Sequence, residues 1–267
     1  DILRSENTYI FRNEFSQGVS NARNFGISKV TTDYFTLLDA DDVLLKNRMP
    51  NIKNIMEKQN GLNDIISFNY SIIGNGFIHK YSYSDVSEVS KPEKIIIDYL
   101  NNFHSAHFFP HCWSKFYRTE FIFENKLTFN SNLEVFEDVC WLLDCLEASG
   151  DVMNCNVEIY CKIENFDKKK TAQRMEKIFN ARNQLISIFQ NRSIKPTNST
   201  VTKKWEVNLN LLIIKQVGRL LKSRLYSEAK LGDYILDFSE KGALHKGIEI
   251  EEIRDAALRN LLEKYIR

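Results

Sequence analysis

The chain has no CxxC pair, no histidine at zinc-ligand spacing from a cysteine, and an odd number of cysteines: five, at 112, 140, 145, 155 and 161. A disulfide framework and a metal knuckle are therefore unsupported, and a reducing, cytoplasmic setting is the expectation. No apolar run is long enough to span a bilayer, and the opening DILRSENTYIFRNE is too charged for a secretory signal. Internal repeats and low-complexity tracts are also missing. The short glycosylation pattern occurs at 69–71, 191–193 and 198–200, but in a chain this rich in asparagine it recurs by chance and carries no weight.

What is present is a globular composition, 43% hydrophobic over 267 residues, enough for a real core. The net charge of +1 conceals an asymmetry. From Phe166 onward there are 21 Lys+Arg against 12 Asp+Glu, whereas residues 1–165 carry 15 against 23. The periodicity changes at the same place. Before it, strand-like runs at 9–11, 34–38, 65–73 and 157–163 alternate with helical patterns at 20–29, 46–58, from Pro92, and from Glu137 through DVCWLLDCLEA. That order predicts an α/β sheet. After it only helices are expected, at 171–190, 202–225, 231–238 and 249–265, with SIKPTNST as a breaker. Two domains follow, 1–165 and 166–267. In the second, Trp205, Leu209, Leu212 and Ile213 at helical spacing, with Lys203, Lys204, Lys215 and Arg219 among them, fit either a packed helix with a solvated basic face or contact with an anionic membrane.

The stretch YFTLLDADDVLL, 34–45, places Asp39, Asp41 and Asp42 at the carboxyl end of an expected strand. Open α/β sheets bind ligands there, and two carboxylates flanking one small residue suit a hard divalent cation that bridges to phosphate oxygens. The competing reading is that Asp41 or Asp42 caps a helix starting near Val43. Similarly, Glu137-Asp138 opens a helix, where acidic side chains complement the macrodipole whether or not they do chemistry. His104, His107 and His111 lie close together, but Pro110 interrupts any shared helix, so they are read as loop residues.

QGVSNARNFGISKVTTDYFTLLDADDVL (17–44) and CWSKFYRTEFIFENKLTFNSNLEVFEDVCWLL (112–143) resemble, in order, the two signature blocks of family 2 glycosyltransferases with the GT-A fold. The resemblance covers roughly residues 9–165. It implies a GT-A-like mixed sheet flanked by helices, here followed by an all-helical C-terminal region. It also implies transfer of a sugar from a nucleotide-sugar, usually a UDP-sugar, to an acceptor hydroxyl with inversion. A Mn²⁺ or Mg²⁺ would neutralise the departing diphosphate, with Asp41 as its ligand and Asp39 facing the ribose or a metal-bound water. Asp138 matches the base that deprotonates the acceptor. Arg23 and Asn24 would line the donor, and Trp113, Lys115 and Glu137 the acceptor or phosphate side, while Asp42 is expected to cap the helix.

Two departures qualify these implications. The family's opening strand-helix-strand unit is not recognisable, so a further upstream segment of roughly 50–80 residues is expected, with poor UDP binding without it. KIENFDKKKT at 162–171 lacks the Arg and Ser often found there. The partners expected are a nucleotide-sugar, a glycan or lipid-linked acceptor of a bacterial surface polysaccharide or glycolipid, and an anionic membrane surface; nucleic acid is not expected. The alternatives are a non-catalytic partner subunit and a nucleotidyltransferase, although the latter would want a Gly-rich, Lys/Arg-bearing phosphate loop that the chain does not show.

Overall fold

A computed structural model describes residues 8–12, 16–59, 63–74, 77–82, 86–101 and 111–164, scattered positions between 173 and 236, and residues 256–265. The elements in chain order are α1 (Gly18–Ile27), β1 (Tyr34–Thr36), β2 (Val43–Leu44), a 3-10 turn at Lys46–Arg48 running into α2 (Met49–Gln59), β3 (Ile65–Gly74), β4 (Phe77–Tyr81), β5 (Glu88–Ser90), α3 (Pro92–Asn101), β6 (Lys115–Arg118), α4 (Thr119–Glu124), α5 (Glu137–Ala148), β7 (Val152–Glu164) and α6 (Ala256–Tyr265).

These strands form one mixed sheet in the order β1-β6-β3-β7-β2, with β4 on β3 and β5 on β7. Only β3 and β7 run parallel; every other pair is antiparallel. The centre of the sheet explains the sequence of β3. Its first half, IISF, is buried on both faces and therefore reads as a continuous apolar run rather than an alternation. Ile65, Ile66, Tyr117, Ile159 and Tyr160, with Trp141 and Leu142 of α5, are fully buried and form the heart of the core. Helices α3 and α5 pack against each other. Pro92 opens α3, where its missing N–H is not needed.

The β3–β7 register shifts between Phe68 and Tyr70. A bulge there re-aims the downstream side chains, and beyond it Tyr70 pairs with Tyr160 and Ile72 with Lys162. Asn69 Nδ2 donates to Asn156 Oδ1 (2.7 Å) at the irregularity, and Ser114 Oγ donates to the Phe68 carbonyl (3.1 Å).

Several expectations need correction. Tyr9, Ile10 and Phe11 form no strand; they are exposed, and Phe11 meets Phe25 edge-on at 5.4 Å. Val43-Leu44 is not the start of a helix but a strand paired with Cys161 and Tyr160. The last strand begins five residues earlier than its apolar pattern, at Val152. Helices expected at 171–190, 202–225, 231–238 and 249–265 fall largely outside the described residues; where positions are described, they are mostly helical, as in α6. No helix among the described residues is long and apolar enough to cross a membrane.

Candidate active site

Three segments distant in sequence meet beyond the carboxyl end of β1. The chain leaves β1 at Thr36 and turns at Asp39, whose carbonyl accepts the Asp42 N–H at 3.1 Å. Helix α1 brings Arg23 alongside. Its guanidinium donates to Asp39 Oδ1 at 2.9 Å and to Glu137 Oε1 at 3.0 Å, so one cation joins the aspartate turn to the first residue of α5, 114 positions away. Burial opposes the charge on Arg23, but Cys112, Asp39 and Glu137 around it prevail and raise its pKa above the ordinary value. The bridge is permanently charged.

The three aspartates of DADD separate physically. Asp41 is exposed. Asp39 is partly exposed and keeps Oδ2 outside its pairing with Arg23. The Asp42 side chain is fully buried: Oδ2 accepts the Tyr160 hydroxyl at 2.6 Å, Oδ1 accepts the Ile163 N–H at 2.9 Å, and Lys162 Nζ lies 3.7 Å away. The expectation that Asp42 caps a helix is thus overturned, because no helix starts there and its carboxylate is committed to β7. Burial, followed by the Asp42 bond, raises the Tyr160 pKa, so this hydroxyl holds its proton.

Helix α5 begins on a strained residue. Phe136 has φ 61°, a left-handed conformation costing about 1–3 kcal/mol for a non-glycine residue, and the Cys140 N–H closes on its carbonyl at 2.9 Å. This kink presents Glu137 and Asp138 in the first turn. Asp138 Oδ1 accepts the Val139 N–H at 2.9 Å, and its Oδ2 faces His111 Nδ1 at 4.0 Å. Burial works against the Asp138 carboxylate, but His111 and the Val139 N–H outweigh it and bring its pKa below the ordinary value. Burial and the neighbouring Asp138 charge push Glu137 the other way, with Arg23 holding it back. At neutral pH Asp138 is an ionised carboxylate.

The remaining expected site residues lie underneath. Asn24 uses both ends of its amide on Phe129, donating to its carbonyl and accepting its N–H, each at 2.8 Å, so it ties α1 to the segment before α5 rather than facing the cleft. Trp113 is buried, stacked between His111 (4.2 Å, 6°) and Tyr160 (4.6 Å, 14°). Lys115 is buried too, donating to the His111 carbonyl at 2.8 Å, and burial lowers its pKa to about 7. Ser114 between them has φ 57°, a second left-handed residue beside the site. By sequence His111 is an ordinary loop residue; its contact with Asp138 is tertiary, and no local pattern announces it. His104 and His107 lie outside the described residues. At the opposite end of β1, a groove of about 1320 Å³ lined by Asp33, Tyr34, Met56 and Arg118, among others, contains none of these groups.

Comparison with known proteins agrees with this geometry. Residues 2–121 match the family model described as Glycosyl transferase family 2. By structure the chain is similar to S. aureus TarS 1-349 in complex with UDP-GlcNAc, at TM-score 0.57 and 12% identity, covering 97% of this chain and 75% of that one. It is similar also to S. aureus TarS 1-349 in complex with UDP, at TM-score 0.52 and 12% identity, covering 93% and 71%. No curated protein matches the sequence. The family 2 match is thus confined to residues 2–121, and the fold is of the GT-A type.

Proposed function

We propose that the chain is a metal-dependent inverting glycosyltransferase that moves a sugar from a UDP-sugar to an acceptor hydroxyl in bacterial surface polysaccharide or glycolipid synthesis. The observation that carries this reading is the Arg23 bridge, which brings the aspartate turn, suited to the donor diphosphate, beside the carboxylate pair suited to the acceptor. The UDP-GlcNAc and UDP held by the similar TarS structures support a nucleotide-sugar donor.

The donor set fits a hard divalent cation. Asp41 and Asp39 would hold Mn²⁺ or Mg²⁺ with phosphate oxygens and water completing the shell, as such ions prefer; among the described residues no cluster of three His, Cys, Asp or Glu groups forms a protein cage. When bound, the cation supplies charge neutralisation to the departing diphosphate. Arg23 keeps Asp39 oriented and adds fixed positive charge beside that site. Asp138, held ionised, accepts the proton of the acceptor hydroxyl as its oxygen bonds to the anomeric carbon and the bond to the diphosphate breaks. Attack from the face opposite the leaving group inverts the centre. A lipid-linked acceptor would draw the chain to an anionic membrane, for which the basic excess after Phe166 is suited.

The test is release of UDP across a panel of UDP-sugars with Mn²⁺, with and without glycan acceptors. Metal-dependent turnover lost in Asp41→Ala supports the reading. Turnover indifferent to both metal and Asp41 contradicts its metal-dependent part, and no turnover with any donor contradicts the enzyme.

A further inference from the structure

The aspartate turn and the base are joined by Arg23 on one side, and on the other by a second connection made only of rings. His111 faces Asp138 and lies flat on Trp113, Trp113 lies flat on Tyr160, and the Tyr160 hydroxyl donates to buried Asp42 while accepting the Asp39 N–H at 3.4 Å. Each contact is fixed from the side. Tyr70 meets Trp113 edge-on at 4.8 Å and His111 at 6.1 Å, and Lys162 places its ammonium 5.4 Å from the Trp113 ring centre while lying 3.7 Å from Asp42. Packed rings at these separations are incompressible on the scale of a side chain.

We propose that His111, Trp113 and Tyr160 form a spacer column that sets the separation between the aspartate turn and Asp138. Tyr160 and Trp113 are thereby positioning residues for both ends of the transfer site. The assignment rests on the transfer reading for its purpose but not for its existence. A base must stand across the sugar from the leaving diphosphate, and a displacement of about 1 Å costs a transfer reaction on the order of a hundredfold. Tyr160 is suited to its end of the column because its hydroxyl serves two residues of the turn at once, Asp42 through the side chain and Asp39 through the backbone. Trp113 is suited to the middle because its ring area spans both neighbours.

The experiment reads the two ends separately in the whole chain. Mn²⁺ binding in the presence of UDP, followed by the paramagnetic signal of free Mn²⁺, reports the aspartate turn; the His111 imidazole proton resonance reports the base end without substrate or metal. Tyr160→Phe keeps the stack and removes the hydroxyl. It is expected to weaken Mn²⁺ binding about tenfold, the effect of losing one hydrogen bond to a charged group, and to move the His111 resonance. Trp113→Leu is expected to change both readouts, Trp113→Phe to restore them in part, and the Tyr160→Phe effect to shrink sharply in the Trp113→Leu background, as coupled groups require. Tyr160→Phe with parental Mn²⁺ affinity, or effects that add independently, overturns the column. Should Trp113→Leu fail to fold, Tyr160→Phe with Trp113→Phe still decides it. A parent chain that binds no Mn²⁺ with UDP refutes the metal reading; the column is then judged on the His111 resonance alone, and an unmoved resonance in Tyr160→Phe refutes it.

Discussion

Replacing Arg23 with alanine strands two carboxylates at once. The Arg23 side chain is 13% exposed, Glu137 14% and Asp39 28%, so neither partner can be fully rehydrated in place. Removing one member of a buried ion pair costs about 3–5 kcal/mol; because Asp39 already touches water, the lower end applies, about 3 kcal/mol. In a chain of this size that lowers the melting temperature by about 6–12 °C. Arg23→Lys should fall between, since an ammonium is a single point charge and lacks the fork that reaches both carboxylates. The deficit also has a pH signature. Glu137 holds its proton more tightly in the folded than in the unfolded chain, so its contribution to stability is full below the ordinary glutamate value of about 4.3 and is lost as pH rises from there through the raised folded value. Loss of Arg23 removes the charge that holds this shift down, so the gap between Arg23→Ala and parent widens from pH 4 towards pH 7. Calorimetric melting of both proteins at these pH values is the assay. A shift below about 2 °C at pH 7, or a gap independent of pH, refutes the bridge as a buried, shared ion pair.

Asp138→Asn should keep UDP binding and lower transfer by at least about a hundredfold, the usual scale for a lost general base, measured by acceptor-dependent UDP release. His111→Gln removes the imidazole that helps hold Asp138 down, so the acid limb of the transfer pH profile should move to higher pH; an unmoved limb would separate the two residues. Lys115 has its pKa lowered to about 7 by burial, so the folded chain holds that proton less tightly and parental stability should rise between pH 7 and 10, a rise that Lys115→Met abolishes in urea melts. Sedimentation with anionic vesicles at low salt should exceed that with neutral ones through the basic residues after Phe166, and equal sedimentation would remove the membrane surface as a partner.

Much of the sheet was legible because two of its strands carry clear patterns: the largely apolar run of β3 at the centre and the mostly apolar YFTLL ahead of DADD need no tertiary context. The elements that escaped are short or polar. Strand Phe77–Tyr81 lies mostly exposed, Glu88–Ser90 is only three residues long, and Lys115–Arg118 is a strand although two of its four residues are cationic. Its lysine is buried because the preceding turn, with Ser114 at positive φ, supplies carbonyl oxygens to the ammonium. At the site, the motifs offered Asp39, Asp41, Asp138 and Arg23 as candidates, but not Tyr160 or the contact between His111 and Asp138. Tyr160 sits in VEIYCKI as one more strand aromatic, and nothing in that string says that its hydroxyl meets Asp42, 118 residues away. The bulge at Asn69 and Asn156 helps set which way Tyr160 faces, and a register shift is invisible to alternation counted along a single strand.

Crowding three carboxylates into four residues would be costly if all three faced one another in a dry pocket, and the geometry shows why it is tolerable here. Like charges a few ångströms apart must be separated, neutralised or protonated. Separation serves Asp41, which points into water and so remains free for a cation arriving with phosphate. Neutralisation serves Asp39 through Arg23, at 2.9 Å. Asp42 goes the other way, into the protein, where a hydroxyl, a backbone N–H and a nearby ammonium take the place of water. The consequence is an order of sensitivity that a single motif would not give. Asp41→Asn removes charge without removing any internal bond, so it should spare folding and cost metal binding. Asp42→Asn leaves the Tyr160 hydroxyl and Ile163 N–H facing an amide that can turn a donor towards one of them, so it should lower the melting temperature first and weaken metal binding only through the displaced turn. Melting curves recorded beside Mn²⁺ titrations of the two variants distinguish these roles: equal thermal losses, or a metal defect confined to Asp42→Asn, would mean that the division of labour drawn from burial is wrong.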